Sequence, residues 1–203
     1  MLVFINMKTR SYVMKARADT AHDTHQRIVQ AGTALLWEKM SLEITLDDIA
    51  RRAEVSVQTI LRHFGTREHL LTEVDTFMRQ EVVAERRAPV GDVAAAVRVI
   101  VDHYERRGDA VLRLLAQEYW NERIRTGMDI GRETHRAWVA QVFAPQLEAC
   151  AVAERATLTD LLVVATDVYT WKLLRRDRAL DREQAEARVR QLIAAILHES
   201  KGA

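Results

Sequence analysis

The chain has 203 residues, 48% apolar and 29% charged, enough to bury a core without cross-links and too apolar for intrinsic disorder. Its net charge of +1 excludes a global polyelectrolyte attraction, so any affinity for nucleic acid must come from local clustering. A single cysteine, Cys150, excludes an intrachain disulfide and a cysteine-built zinc site; with no signal-peptide pattern, the expected compartment is cytoplasmic.

Only two prolines and seven glycines punctuate the chain, and no alternating apolar–polar run stands out, so the predicted fold is all-α. Met1 to Asn6 is apolar but too short for a signal core or a membrane span, and no membrane partner is expected. Met7 and Met14 leave the start codon open. Residues 1–20 carry Lys8, Arg10, Lys15 and Arg17 with no acid before Asp19, which reads as a flexible basic arm, either idle or reaching a minor groove. A first helix runs from about Thr24 to Glu38, with Ile28, Ala31, Leu35 and Leu36 on one face. A second begins at Thr45, with Asp48 placed as the acid of a capping box and Leu46, Ile49, Ala50 and Ala53 facing inward. The chain breaks at Glu54-Val55-Ser56. Ser56 then caps a short third helix carrying Val57, Ile60, Leu61 and Phe64. Gly65-Thr66 stops it and starts a fourth helix, Arg67 to about Arg86.

The segment Arg86-Arg87-Ala88-Pro89-Val90-Gly91 is the clearest break. Helices are predicted beyond it over Asp92–Arg106, Ala110–Arg123, Ile130–Ala149 (interrupted near Pro145), Leu158–Arg175 and Arg182–His198. Asp181 and Gln184 form a cap pair for the last.

Two short helices joined by a tight turn are the physical content of a helix-turn-helix, whose second helix enters the major groove. Ala50 is small enough for the helix crossing, Val55 plugs the turn and Ile60 locks the second helix. The polar side of that helix offers Gln58 for adenine and Thr59 for a base or phosphate. Arg51, Arg52, Arg62 and Arg67 against one acid, Glu54, make a local positive stripe for phosphates. The DNA-contact set is Thr45, Arg51, Ser56, Val57, Gln58, Thr59, Arg62, His63 and Arg67.

The run from Thr45 to Leu71 resembles the DNA-binding head of the TetR family of transcriptional regulators, with Thr45, Ile49, Ala50, Ala53, Val55, Ser56, Thr59, Ile60, His63, Phe64, Glu68 and Leu70 at matching positions. The run Tyr169 to Asp177 is similar to members of the same family. Three positions depart from its pattern: Glu54 replaces the turn glycine, Leu61 a phosphate-contacting tyrosine, and Arg67 a lysine. The resemblance implies an N-terminal three-helix DNA-binding head at residues 21–75. A helical bundle for ligand binding and dimerisation follows at 76–203. It implies a homodimer on a palindromic operator of double-stranded DNA, joined through the last two helices. Leu161, Val164, Val168, Trp171, Leu174, Val189, Ile193 and Leu197 supply an apolar surface for that contact, or pack within their own subunit. It also implies a small-molecule effector in the body. Candidate residues are His103, Tyr104, Leu114, Glu118, Trp120, Met128, Trp138 and Phe143, which mix aromatic walls with polar tips and also suit an ordinary core. An acid at Glu118 points to a cationic or hydrogen-bond-donating effector.

No Glu-x-x-His, His-Glu-x-x-His, Gly-x-Ser-x-Gly, P-loop or Gly-x-Gly-x-x-Gly pattern occurs, so no catalytic residue, metal ligand or cofactor is assigned. Glu54 and Leu61 keep open an alternative: a helical dimer of the same shape that has lost specific DNA binding and acts through protein partners. Repression and activation fit the sequence equally.

Overall fold

The computed structural model describes residues 4–199 along the backbone and, Leu42 apart, residues 21–199 in their side chains. Among the described residues every regular element is helical and there is no strand. The chain forms two compact units divided between Met78 and Arg79.

The first unit holds α1 (Phe4–Glu38), α2 (Leu46–Arg52), α3 (Val57–Phe64) and the start of α4 (Arg67–Glu85). α1 begins at Phe4, whereas the predicted first helix starts at Thr24 and residues 4–20 were expected in a flexible arm. No proline or glycine occurs before Gly32, so no residue in that stretch obliges a helix to stop. Gly32 itself marks a close approach: a Cβ there would lie 2.7 Å from Val74 Cγ2 on α4. Ile28, Leu35 and Leu36 of α1 meet Ile49 of α2, Ile60 and Phe64 of α3, and Leu70 and Val74 of α4 in one buried core.

The second unit holds the end of α4, then α5 (Val93–Leu115), α6 (Glu122–Val142), α7 (Ala144–Glu148), α8 (Arg155–Ala165), α9 (Val168–Lys172) and α10 (Arg182–Glu199). The predicted helices over 92–106 and 110–123 are one helix, α5, which passes straight through Gly108. Gly108 is a packing residue: a Cβ on it would sit 2.6 Å from Trp171 Cη2. α6 starts eight residues before the predicted Ile130, at Glu122, because Asn121 caps it by accepting the Ile124 N–H at 3.2 Å. Pro145 falls in the first turn of α7, where its missing N–H costs nothing.

The predicted helix over 158–175 is broken. Thr166 ends α8 with its hydroxyl donating to the Leu162 carbonyl at 2.7 Å. Asp167 then caps α9 by accepting the Tyr169 N–H at 2.8 Å. α9 widens into a π turn over Leu173–Asp177, held by the Arg178 N–H on the Leu173 carbonyl at 2.9 Å. The turn directs Arg175 to Glu105 and Arg176 to Asp109 of α5. Asp181 and Gln184 cap α10 reciprocally, at 3.1 and 2.7 Å. The core of this unit includes Val97, Ile100, Tyr104, Val139, Phe143, Leu162, Trp171 and Ile193.

Gly108→Ala tests the packing of α5 against Trp171. Helix propensity alone would favour alanine by about 1 kcal/mol. The added methyl collides with an indole that Tyr104, Arg176 and a 2.8 Å bond to Glu105 hold in place. Overpacking of this kind costs about 1–3 kcal/mol, so the expected result is a net loss of about 1 kcal/mol in urea unfolding. A gain in stability would contradict it.

Candidate functional site

The chemistry of the first unit is gathered on α2, α3 and their connecting turn. The Thr45 hydroxyl accepts the Asp48 N–H, and the Asp48 carboxylate accepts the Thr45 N–H, each at 3.1 Å. Two donors that α2 leaves orphaned are thereby satisfied. The side-chain and backbone hydrogen bonds from Thr45 hold the Asp48 carboxyl below the usual range. After α2, Glu54 turns the chain with φ 55°. A residue other than glycine in this left-handed region costs about 1 kcal/mol. The Val55 N–H closes the turn on the Ala50 carbonyl at 3.0 Å, and Val55 packs against the head core.

Ser56 returns to extended backbone, and its hydroxyl accepts the Thr59 N–H at 3.0 Å, which opens α3. Ile60 and Phe64, one turn apart, are buried. Ser56, Gln58, Leu61 and Arg62 are exposed. Gly65, at φ 73°, ends the helix with its N–H on the Leu61 carbonyl at 2.8 Å.

The expected contact residues separate into free groups and supports. Gln58 and Arg62 are exposed and form no hydrogen bond or ion pair among the described residues. Thr45 is exposed at the start of α2. Val57 is half-buried against the head core, and the Thr59 hydroxyl lies 2.9 Å from the Ser56 hydroxyl. The positive stripe is thinner than its four arginines suggest. Arg52 gives both terminal nitrogens to Glu38, at 2.5 and 2.8 Å. Arg67 donates to the Ile44 carbonyl at 3.2 Å, and Arg51 pairs with Asp48 at 3.2 Å while staying 77% exposed. His63 is half-buried; desolvation, Arg62 and His25 push its pKa down. Leu61 is 42% exposed, so it lies on the open side of α3 and not in the core.

Residues with no motif of their own hold α3 at its far end. His25 of α1 stacks on Phe64 at 4.4 Å and meets Glu73 of α4 at 2.6 Å. His69 Nδ1 lies 2.9 Å from the Phe64 carbonyl.

A short helix, capped, pinned from behind and open on its polar flank, follows a second short helix through a left-handed turn. The family model for bacterial regulatory proteins of the tetR family matches residues 28–74, which span this arrangement. Over these residues the chain is similar to the tetR family. An uncharacterized HTH-type transcriptional regulator of Bacillus subtilis, YdeS, is 36% identical over 80 residues, covering 39% of this chain and 38% of that protein's length. A TetR-family transcriptional regulator from Streptomyces coelicolor superposes with a TM-score of 0.68 at 16% identity, over 89% of this chain and 83% of its own. A transcriptional regulator from a Rhodococcus species superposes at 0.65 with 17% identity, over 87% and 97%. At these identities the two structures share the fold with this chain.

In the second unit, five expected effector residues, His103, Tyr104, Leu114, Trp138 and Phe143, are buried. His103 lies against Tyr104 at 5.3 Å, and Trp138 lies edge-on to Phe143 at 6.3 Å. Trp120 is 58% exposed on the turn after α5, and Met128 is half-buried on α6. The Glu118 carboxylate already accepts two hydrogen bonds from Arg132, at 3.0 and 3.1 Å, which removes the reason to expect a cationic effector there.

The expected dimer residues divide as well. Val168, Trp171, Val189 and Ile193 are buried in the chain's own core, and Leu174 and Leu197 pack against it. Periodicity marked these positions as apolar, and their own subunit covers them. The exposed large apolar residues of the same helices are Leu161, Val164, Tyr169, Leu173 and Leu192.

A polar cluster that sequence reasoning missed, His103 apart, crosses the body at the end of α4. The His103 Nδ1–H donates to the Glu85 carboxylate at 2.8 Å, and Arg86 Nη2 donates to His103 Nε2 at 2.9 Å. Arg86 Nη1 faces His135 Nδ1 at 3.5 Å, and the His135 Nε2–H donates to the Thr166 hydroxyl at 3.2 Å. Arginine only donates, so each imidazole must present a lone pair to it and stay neutral. Desolvation, with Arg86 adding to it, pushes both His103 and His135 down to about 4. Burial opposes the Glu85 charge, but hydrogen bonds from His103 and Arg107 outweigh it and hold that carboxyl at about 2.

The two histidines set a pH dependence. Each binds a proton more weakly folded than unfolded, where the ordinary value is 6.5. Their contribution is therefore complete above 6.5 and is lost as pH falls toward 4. At about pH 5 the expected loss is roughly 2 kcal/mol for each imidazole. Urea midpoints from pH 7.5 down to about 4.5 should fall accordingly, and His135→Gln should flatten the slope. A variant slope equal to that of the parent would refute the assignment.

Proposed function

We propose that this protein is a dimeric, sequence-specific DNA-binding transcriptional repressor that releases its operator when a small molecule binds its body. The observation that carries the reading is the polar flank of α3, on which Gln58 and Arg62 stand exposed with no partner among the described residues. Gln58 has the geometry to pair with adenine, and Arg62 with guanine or a phosphate. Ser56 and Thr59 follow the groove edge, and Thr45, Arg51, His63 and Arg67 lie where phosphates would pass. The helix-turn-helix of the tetR family supports this placement.

One eight-residue helix reads too few base pairs to be selective, so two copies on a palindrome about 34 Å apart are required. Leu161, Val164, Tyr169, Leu173 and Leu192 supply an exposed apolar face on α8, α9 with its π turn, and α10, of a kind that marks an association surface. An effector that favours one spacing of the two heads over another shifts operator affinity through that dimer. The protein acts in the cytoplasm; among the described residues no helix is long and apolar enough to cross a membrane.

Fluorescence anisotropy against the DNA flanking its own gene, over a salt series, tests the reading. The parent should bind with a steep salt dependence and prefer that DNA to a scrambled duplex. Arg62→Ala with Gln58→Ala should weaken operator binding by about 1–3 kcal/mol per lost base contact while the dimer persists on sizing. Val164→Glu should give monomers that bind the full operator weakly. Sequence-indifferent binding by the parent, or a dimeric Val164→Glu, would overturn the corresponding part.

A further inference from the structure

The end of α4 buries a charge that its surroundings leave unbalanced. Arg86 is only 8% exposed, and an arginine side chain stays protonated inside proteins. Its two terminal nitrogens face neutral imidazoles, and its guanidinium carbon lies 5.5 Å from the centre of the Tyr104 ring. Its Nε is buried with no hydrogen-bond partner. The Glu85 carboxylate is engaged by His103 and by Arg107 at 2.8 Å, with Arg106 at 3.8 Å. Arg107 also meets Glu81 at 3.6 Å, so two carboxylates stand among three guanidiniums, and neither pairs with Arg86 among the described residues. Asp167, the other acid whose charge reaches Arg86, accepts the Tyr169 N–H and forms no ion pair with Arg86 among the described residues. A buried cation without a partner is costly, and so is a buried N–H left unpaired.

We infer that the body binds a small organic carboxylate, its charge met by Arg86 and its carbon skeleton held by the surrounding aromatic residues. This rests on the effector-responsive reading above and gives the effector a chemical class. The Arg86 Nε–H supplies one donor. The Tyr104 hydroxyl supplies a second: it has no hydrogen-bond partner among the described residues, and burial holds its pKa up at about 12, so it keeps its proton. Trp138 donates its Nε1–H to the Arg86 carbonyl at 2.7 Å, and its ring stacks on His135 at 5.7 Å, so the aromatic surface is fixed beside the charge. A carboxylate matches a planar guanidinium with paired acceptors, whereas the corresponding amide offers one acceptor and no charge. A cation is disfavoured here by the same excess of positive charge.

The test uses the full-length protein and a defined panel: benzoate and straight-chain carboxylates from acetate to decanoate, each beside its matching amide. Thermal unfolding is followed at millimolar probe. At least one carboxylate should raise the midpoint by about 4 °C or more, with its amide leaving the midpoint unmoved. Arg86→Met should abolish the shift. Arg86→Lys, which keeps the charge and loses the fork, should raise the half-saturating concentration about tenfold, and it decides the matter if the methionine variant does not fold. A panel without any shift, amides as effective as acids, or an unaltered response in the variants would overturn the inference. Anisotropy on the same probe-free preparations keeps the two readings apart. Intact DNA binding with no carboxylate response sinks this inference alone, whereas absent DNA binding sinks the regulator reading.

Discussion

A helix of eight residues does not hold itself together in water, where about 12–15 are needed even for good helix formers. α3 therefore exists only because its neighbours hold it. Ile60 and Phe64 are buried among residues of α1, α2 and α4, and that burial fixes the rotation of the helix about its own axis. Once the rotation is fixed, Gln58 and Arg62 can only face outward. The caps at Ser56 and Gly65 then set its length. Packing behind the helix and chemistry in front of it are one constraint, which is why the ring of His25 against Phe64 belongs to the site proposed to face DNA although it lies behind the exposed flank.

The body follows a different economy. Its apolar core is ordinary, but a line of hydrogen bonds runs through it from Glu85 by way of His103, Arg86 and His135 to Thr166. Every member defines the proton position of the next, since a carboxylate only accepts and a guanidinium only donates. The line begins at the last residues of α4 and ends where α8 stops, so three interior helices and the end of α4 are held in register by polar groups with direction. Apolar packing alone would tolerate small slippage there; oriented hydrogen bonds tolerate less.

Local features were legible in the sequence, and long-range ones were not. The capping box of Thr45 with Asp48, the Ser56 cap and the Asp181–Gln184 pair are spaced three residues apart, so their chemistry can be read without the fold. The left-handed turn at Glu54 was legible only through the resemblance, which puts a glycine there; a glutamate by itself does not call for that backbone. Gly108 was misleading: it reads as punctuation, and its purpose is set by a tryptophan far along the chain. The start of α1 carried no signal because the sequence there has nothing to stop a helix. Val168, Trp171, Val189 and Ile193 show the limit of periodicity, which finds an apolar face without telling a subunit's own core from a partner's. Arg86 lay three residues before a proline, next to a second arginine, in a stretch with the composition of a linker. Its burial is decided by histidines on α5 and α6.

The π turn after α9 has a consequence for how this chain can change in length. Consecutive residues of an α-helix point about 100° apart, so two neighbouring side chains do not ordinarily reach the same partner helix. In the wider coil Arg175 and Arg176 both reach α5, at Glu105 and Asp109, one turn from each other. Loss of one amino acid between Leu173 and Asp177 would restore the tighter coil and swing at least one guanidinium off its acid. The surplus residue is thus locked in by electrostatics, and insertions or deletions are better tolerated in the exposed turn around Tyr119 and Trp120 than in this stretch.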